Sequence, residues 1–314
     1  MDDWLPGLIT KAQSGFFTVH TQRGEFVCQL RGRLKREKQE TDIVALGDRV
    51  EISLVEDGSG LIETVAERER ALVRRSPRSY IPGNKATGYD ERGIEQVLVA
   101  NPDQAVFVFA CANPAPHVRM LDRFLIVAEA NDIPAVICAN KTDLVSAADA
   151  QQIFGPYVEI GYPVLFTSAL TGQGVRALRQ TLRGRISVLA GPSGVGKTSL
   201  LNGVRPGLGL QVRAVSRATT KGRHTTVHSQ LWPVEGDGWV ADTPGLRALA
   251  LFDVEPEELD GYFVDIAPLV ANCAFSDCTH VHEPGCAVRA ALAAGRLHRS
   301  RYDSYLRMRA AEED

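Results

Sequence analysis

A phosphate-binding loop is predicted near the middle of the chain, where two glycines separated by four residues precede Lys and Thr. The loop and the residue after it are Gly191, Pro192, Ser193, Gly194, Val195, Gly196, Lys197, Thr198 and Ser199. An apolar run at 186–190 predicts a buried strand before it, and 199–202 predicts a helix after it. In such a loop, backbone N–H groups point at phosphate oxygens, Lys197 can reach the β- and γ-phosphates, and Thr198 can supply a hydroxyl to Mg²⁺.

Two polar segments follow predicted strands upstream of this loop. They are Asn140-Lys141-Thr142-Asp143 after 135–139 and Thr167-Ser168-Ala169-Leu170 after 164–166. Together with the phosphate loop they resemble the base-reading elements of translation-factor GTPases. The resemblance implies that Asp143 accepts the guanine N1–H and 2-amino group, that Lys141 stacks on the base, and that the Ala169 N–H meets O6. Adenine would leave a buried Asp143 unsatisfied, which favours GTP over ATP. A helix N-cap is the alternative for Asp143.

Two further segments resemble the switch regions of GTPases. A predicted strand at 239–241 ends in Asp242-Thr243-Pro244-Gly245. The resemblance implies that Asp242 holds Mg²⁺ through water and that the Gly245 N–H meets the γ-phosphate. The polar loop 219–226 lies in the place of the first switch, where Thr225, or alternatively Thr226, should bind Mg²⁺. Because the base-reading segments precede the phosphate loop, the domain is predicted to be circularly permuted.

A structural zinc site is predicted near the C-terminus, where three cysteines and a histidine lie close together. They are Cys273, Cys278, His280 and Cys286. Thiolate and imidazole are ligands that Zn²⁺ prefers, and four of them indicate a closed tetrahedral site. Chance clustering in a loop is the alternative. The remaining cysteines, Cys28, Cys111 and Cys138, lie singly in apolar runs and are predicted to be small buried hydrophobes.

The segments outside these motifs predict three domains: an OB-fold β-barrel at 1–75, an α/β P-loop GTPase domain at 96–250, and a helical zinc-binding module at 251–314. Short alternating strands between 8 and 73 favour the barrel, and strand–helix alternation from 104 onward favours a mostly parallel sheet. The basic run 31–38 predicts either an RNA-binding loop or a solvated hairpin tip. Residues 76–95 are predicted to be a linker. An arginine-rich helix is expected at 288–311, facing either RNA or solvent.

Composition places the chain among ordinary globular proteins. It has 314 residues, 44% hydrophobic content and a formal charge of −3, which by itself does not argue for nucleic acid. The acidic start lacks the pattern of a secretory signal, and no apolar run is long enough to span a bilayer. We therefore expect a cytoplasmic protein that does not bind membranes, and we expect it to be a monomer.

The barrel, the permuted GTPase domain and the Cys-Cys-His-Cys module together resemble the RsgA family of bacterial ribosome-assembly GTPases over nearly the whole chain. The segment Gly222-Arg223-His224-Thr225-Thr226 is particularly close, although Val227 stands where a third Thr is usual. The resemblance implies binding of GTP and GDP, and GTP hydrolysis in late maturation of the small (30S) ribosomal subunit, stimulated by that subunit. The barrel and the zinc module would contact its rRNA.

The catalytic residue is expected to be His224. Leu246 follows Asp242-Thr243-Pro244-Gly245, where Ras-like enzymes place the Gln that orients the attacking water, and leucine cannot do this. The resemblance gives that role to His224; an ordinary loop histidine is the alternative. Two other functions remain open at this point: an RNA-binding module in which GTP is mainly an allosteric ligand, and a P-loop small-molecule kinase, which Asp143 disfavours.

Overall fold

A computed structural model describes residues 4–32, 34, 43–75, 95–207, 230–242 and 254–310. The described parts form two compact units, one drawn from 1–104, 179–190 and 216–247, the other from 105–178, 191–215 and 248–314. The predicted linker, apart from Glu95, and most of the basic run 31–38 lie outside the described residues. No helix among the residues that the structure describes is long and apolar enough to cross a membrane.

The first unit contains the predicted barrel. Its strands are β1 (Leu5–Gln13), β2 (Phe16–Thr21), β3 (Gly24–Leu30), β4 (Arg49–Leu54) and β5 (Gly60–Val65), closed in the order β1-β2-β3-β5-β4. Parallel pairing of β3 with β5 closes the barrel, while its other pairs are antiparallel. Alternate residues point inward and form the core, among them Ile9, Val19, Cys28, Ile52 and Ile62. The OB-like barrel is therefore confirmed, and β1, which contains Pro6 and Gly7, is a strand that the sequence pattern did not predict.

The rest of the first unit consists of two further groups of strands. Strands β6 (Ala71–Arg75) and β7 (Glu95–Ala100) pair antiparallel. The segment before β6 is joined to the loop before β4, because the Asp48 carboxylate accepts hydrogen bonds from Arg68 Nε and Nη2, both at 2.8 Å. Strands β11 (Ile186–Ala190), β12 (Leu231–Val234) and β13 (Gly238–Asp242) pair in the order β11-β13-β12, with β12 antiparallel.

The second unit contains the segments that resemble base-reading elements. Its strands β8 (Gln104–Ala110), β9 (Ala135–Asn140) and β10 (Val164–Phe166) are parallel neighbours in the order β10-β9-β8. The helices are α1 (Val118–Ala130), α2 (Ala147–Glu159), α3 (Val175–Leu182), which runs on into the first unit, and α4 (Lys197–Val204). The buried face of α1 includes Leu121, Phe124, Leu125 and Ala128.

The C-terminal part of the second unit is built from short helices: α5 (Leu259–Tyr262), α6 (Ala267–Val270), α7 (Ala287–Ala293) and α8 (Arg299–Arg309). The prediction of one helix at 288–311 was wrong. Helix α7 ends at Ala294, and Gly295 has φ +68, a left-handed conformation that terminates helices. The His298 side chain then caps α8 by accepting a hydrogen bond from the Ser300 N–H.

One of the predicted surface arginines is buried. Arg301 is 0% exposed, and its Nη1 donates to Asp122 of α1 at 2.5 Å, while Nε and Nη2 donate to Asp265. The guanidinium also lies over the ring of Phe263, 4.6 Å from its centroid. Burial alone would lower the pKa of Arg301, but Asp122 and Asp265 outweigh it and raise that pKa above its usual range. Arg301 therefore fastens α8 to α1 and is not available to RNA.

Candidate nucleotide and zinc sites

The phosphate loop connects buried strand β11 to helix α4, the context that the motif requires. Two of its glycines have no room for a side chain. At Gly191, φ is +148 and an added Cβ would lie 2.1 Å from the Val108 carbonyl oxygen; at Gly196, φ is +99 and the Cβ would lie 2.4 Å from Asn140 Nδ2. Glycine is therefore required at both positions, where the loop backbone approaches Val108 of β8 and Asn140 closely.

Lys197 is the first residue of α4, and its side chain folds back over the loop. Its Nζ donates to the carbonyl oxygens of Gly191 at 2.7 Å and Pro192 at 2.8 Å. The ammonium group is thus held against the loop, at the positive end of the dipole of α4. A phosphate chain placed here meets backbone N–H groups and a lysine together, so the arrangement suits a nucleotide.

Asn140 joins the base-reading segment to the phosphate loop. It is 1% exposed, and its Nδ2 donates to the Val195 carbonyl oxygen at 2.8 Å. Its Oδ1 accepts hydrogen bonds from Thr167 Oγ1 at 3.1 Å and from the Ala169 N–H at 3.2 Å. One buried amide therefore holds three segments in register: the end of β9, the loop after β10 and the phosphate loop.

The other base-reading residues lie together at the same edge of the sheet. Ser168 is fully buried, and its hydroxyl donates to Asp143 Oδ1 at 2.5 Å, which orients an otherwise exposed carboxylate. Lys141 has a left-handed φ of +64, and its Nζ donates to the Asn113 carbonyl oxygen. Since the Ala169 N–H donates to Asn140, its contact with guanine O6 stays a prediction.

Several predicted residues cannot be placed. His224, Thr225 and Gly245 lie outside the described residues, and of Asp242 only the backbone is described, as the last residue of β13. Their roles, and those of Thr198 and Ser199 at the start of α4, stay predictions. The structure brings together the base-reading residues and the phosphate loop.

The four predicted zinc ligands converge in the second unit. One donor atom from each of Cys273, Cys278, His280 and Cys286 lies within 4.8 Å of all the others. His280 Nδ1 is 3.6 Å from Cys273 Sγ and 3.5 Å from Cys286 Sγ. Tetrahedral bonds of about 2.3 Å to sulfur and about 2.0–2.1 Å to nitrogen place two such donor atoms about 3.5 Å apart. These two separations match ligands of one tetrahedral Zn²⁺ ion, so the cluster is suited to zinc.

The protonation of the cluster must change when a cation binds. Burial, assisted by the neighbouring Cys286 and Cys273 thiols, raises the pKa of Cys278 to about 12. Several buried thiolates side by side are therefore costly unless a positive charge lies among them. A divalent cation supplies that charge and replaces the thiol protons.

The loop that carries the histidine is fastened to α8. Tyr302 donates its hydroxyl to the His280 carbonyl oxygen at 2.6 Å, and Tyr305 donates to the Thr279 carbonyl oxygen at 3.0 Å. Glu283 closes the same turn, because its carboxylate accepts hydrogen bonds from the Thr279 hydroxyl and from backbone N–H groups, which lower the pKa of Glu283. Zinc ligands and α8 thus form one packed module.

Sequence reasoning gave no structural role to three polar residues of the second unit. Thr167 was predicted only as part of a motif, although its hydroxyl is buried against Asn140. Asp260, which contacts His280, lies in a segment without any periodic signal. Asp122 did leave a signal, because it is a charged residue next to Leu121 on the apolar face of α1.

Comparison with known proteins agrees with this geometry. The chain matches the family model of the RsgA N-terminal domain over residues 6–62 and that of the RsgA GTPase over residues 65–252. A relative from Gemmatimonas aurantiaca, named small ribosomal subunit biogenesis GTPase RsgA, is 44% identical over 306 residues, 96% of each chain. One of the same name from Alkaliphilus metalliredigens is 40% identical over 304 residues, again 96% of each.

Two solved structures are similar over almost the whole chain. YjeQ from Thermotoga maritima superposes with a TM-score of 0.77 at 36% identity, covering 98% of both chains. YloQ, described as a circularly permuted GTPase, gives a TM-score of 0.74 at 32% identity and covers 98% of this chain and 94% of its own.

Proposed function

The chain belongs to the RsgA GTPase family, and from this premise we propose that it hydrolyses GTP as a late assembly factor of the small ribosomal subunit. Its domain is a circularly permuted GTPase domain. In the proposal, the protein binds the maturing subunit in the GTP state and hydrolysis times its release. We retain the three domains 1–75, 96–250 and 251–314 as the proposed division of labour between RNA contact, catalysis and a zinc-supported RNA contact.

The observation that carries the proposal is the position of Asn140. Its buried amide hydrogen-bonds the phosphate loop through Val195 and the base-reading loop through Ala169. A ligand that spans both loops must carry a phosphate chain and a base, and Asp143 presents a carboxylate on the base side. This arrangement supports a guanine nucleotide as the substrate, because guanine supplies two N–H donors to one carboxylate where adenine does not.

In the proposed reaction, the residues of this chain bind and orient the substrate. Lys197 binds the β- and γ-phosphates, and Thr198 and Thr225 supply hydroxyls to Mg²⁺. The Asp242 carboxylate holds Mg²⁺ through a water molecule. When bound, Mg²⁺ neutralises charge on the phosphate oxygens. The Gly245 N–H is assigned to the γ-phosphate.

The attacking water needs another partner, because Leu246 has no polar group. We assign that role to His224 in the first switch. A catalytic residue on a loop acts only when the loop is ordered, so hydrolysis by the protein alone should be slow and the subunit should accelerate it.

The proposed partner follows from the names of the relatives, which are small-subunit biogenesis GTPases. We propose that the barrel and the zinc module contact rRNA and that the protein acts as a monomer in the cytoplasm, where ribosomal subunits are assembled. In the basic run, Arg31 forms an ion pair with the buried Glu63. RNA contact is therefore assigned to the later members of that run.

The test is turnover of GTP and of ATP by the purified protein, alone and with isolated small ribosomal subunits. We expect slow GTP turnover alone, strong stimulation by small subunits, no stimulation by large subunits and no ATP turnover. His224→Ala should abolish the stimulated turnover while GTP binding stays intact.

The outcomes separate the alternatives. Stimulated turnover that survives in His224→Ala would contradict the catalytic assignment but not the partner. Subunit binding that depends on GTP, without stimulated turnover in the wild type, would favour an RNA-binding module with GTP as allosteric ligand. Absence of any subunit effect would refute the proposed partner.

A further inference from the structure

A carboxylate outside the predicted ligand set contacts the zinc histidine. Asp260, in helix α5, lies with its Oδ2 2.9 Å from His280 Nε2. Both groups are shielded from water, since the His280 side chain is 0% and that of Asp260 16% exposed. A short contact between two polar groups in a dry environment is strong and directional.

This contact distinguishes the two ring nitrogens of His280. Nδ1 lies 3.6 Å from Cys273 Sγ and 3.5 Å from Cys286 Sγ, the separation expected for two ligands of one zinc ion. Nε2 points away from the sulfur atoms, to Asp260. If Nδ1 binds the metal, it must be deprotonated, and the remaining ring proton lies on Nε2. The Nε2–H then donates a hydrogen bond to the Asp260 carboxylate.

We propose that Asp260 is a positioning residue of the zinc site, which fixes His280 in the tautomer that presents Nδ1 to the metal. A carboxylate in this position holds the ring through its Nε2–H and leaves the Nδ1 lone pair directed at the metal. The backbone supports the same orientation, since His280 has φ +64 and its carbonyl accepts the Tyr302 hydroxyl at 2.6 Å.

The proposal also connects the metal to helix α5. Asp260 is the second residue of α5, whose Leu259 is buried in the same apolar core as Cys278 and Cys286. In the chain, α5 is the first helix described after the segment that contains the second switch. The hydrogen bond from His280 to Asp260 therefore joins the proposed zinc site directly to α5.

The experiment measures zinc affinity of the full-length protein by competition with a chromogenic chelator, for the wild type, Asp260→Ala and Asp260→Asn. Removing such a carboxylate typically lowers metal affinity by about 10- to 100-fold, and we expect this for Asp260→Ala. The zinc affinity of Asp260→Asn should lie between those of the wild type and Asp260→Ala, because the amide oxygen can accept a hydrogen bond from Nε2–H but carries no charge. The matched control is Asp303→Asn in the same module, whose carboxylate pairs with exposed Arg299 at 2.9 Å; it should leave zinc affinity unchanged.

A second measurement begins with the wild-type protein. Nitrogen-15 chemical shifts and proton couplings of His280 in the zinc-loaded wild type should show a metal-bound Nδ1 and a protonated Nε2. In Asp260→Asn the Nε2 proton resonance should move upfield as its hydrogen bond weakens.

Three results would overturn the proposal. They are a metal-bound Nε2, a zinc affinity of Asp260→Ala and Asp260→Asn within about twofold of the wild type, and a wild-type protein that binds no zinc. If Asp260→Ala fails to fold, the Asp260→Asn affinity and the wild-type spectrum still decide between the outcomes.

Discussion

Replacing Asn140 by alanine tests whether one buried amide holds the nucleotide site together. The side chain makes three hydrogen bonds, to the Val195 carbonyl at 2.8 Å, Thr167 Oγ1 at 3.1 Å and the Ala169 N–H at 3.2 Å. Alanine removes all three hydrogen bonds, so the Val195 carbonyl, the Thr167 hydroxyl and the Ala169 N–H each lose their bond to Asn140. The phosphate loop and the base-reading loop then lose the group that keeps them in register.

The magnitude follows from those three bonds. A hydrogen bond of this kind contributes about 1 kcal/mol net, so about 3 kcal/mol of local order is lost. In the variant, nucleotide binding must restore that order, and the binding free energy falls by up to the same amount. We therefore expect Asn140→Ala to weaken GTP and GDP binding by about 100-fold, since 1.4 kcal/mol corresponds to a factor of ten.

The assay is an equilibrium titration with a fluorescent guanine nucleotide in the presence of Mg²⁺, with thermal unfolding measured in parallel. Asn140→Asp refines the result, because its carboxylate can still accept from Thr167 and Ala169 but cannot donate to Val195. The matched control is Asn131→Ala, which removes an amide that donates to a backbone carbonyl at 2.7 Å at the end of α1, away from the nucleotide loops. Its nucleotide affinity should equal that of the wild type.

The reasoning would be refuted if folded Asn140→Ala bound nucleotide within about twofold of the wild type, since three hydrogen bonds at about 1 kcal/mol each predict far more. A variant that loses thermal stability but keeps its affinity would refute it equally. In that case the amide would stabilise the fold to the same extent with and without ligand, and would not prepare the site.

Three further predictions concern the lysine, the buried arginine and the metal. Lys197→Ala should remove nucleotide binding, because its ammonium group is the positive charge held over the phosphate loop; retained binding in the same titration would contradict this. Arg301→Ala should lower the free energy of unfolding by about 3–5 kcal/mol, because Asp122 and Asp265 stay buried, whereas Arg299→Ala at an exposed pair should change it by less than about 1 kcal/mol in the same denaturant titration. Chelation of zinc should unfold the C-terminal module without abolishing GTP binding, and unchanged far-UV circular dichroism and thermal unfolding would exclude a structural zinc ion.

The motifs and the order of the strands could be predicted from the sequence because they depend on neighbours in the chain. The phosphate loop requires glycine at positions only a few residues apart, and the structure leaves no room for a side chain at Gly191 and Gly196. Likewise, zinc ligands within a short segment can meet whatever the rest of the fold does. The permuted order is itself a property of the sequence.

Element boundaries were less accessible. The segment 288–311 has helical composition throughout, yet Gly295 ends one helix and His298 caps the next. Strand β1 was not predicted because Pro6 and Gly7 weaken a strand pattern. It forms because its backbone pairs with β2 on one side and with β4 on the other. For β1, the weak strand preference of Pro6 and Gly7 was therefore overridden by pairing with the other strands of the barrel.

The amino-acid sequence by itself determined which chemical groups this protein has: a phosphate-loop motif, a carboxylate at Asp143 just after strand β9, and three cysteines and a histidine suited to a metal ion. The tertiary structure decided which of its polar groups act on one another. Asn140 meets Val195 across 55 residues and Asp122 meets Arg301 across 179. Spacing along the chain carries no information about such pairs. Burial makes them matter, because a polar group removed from water must find its partner wherever the fold brings one.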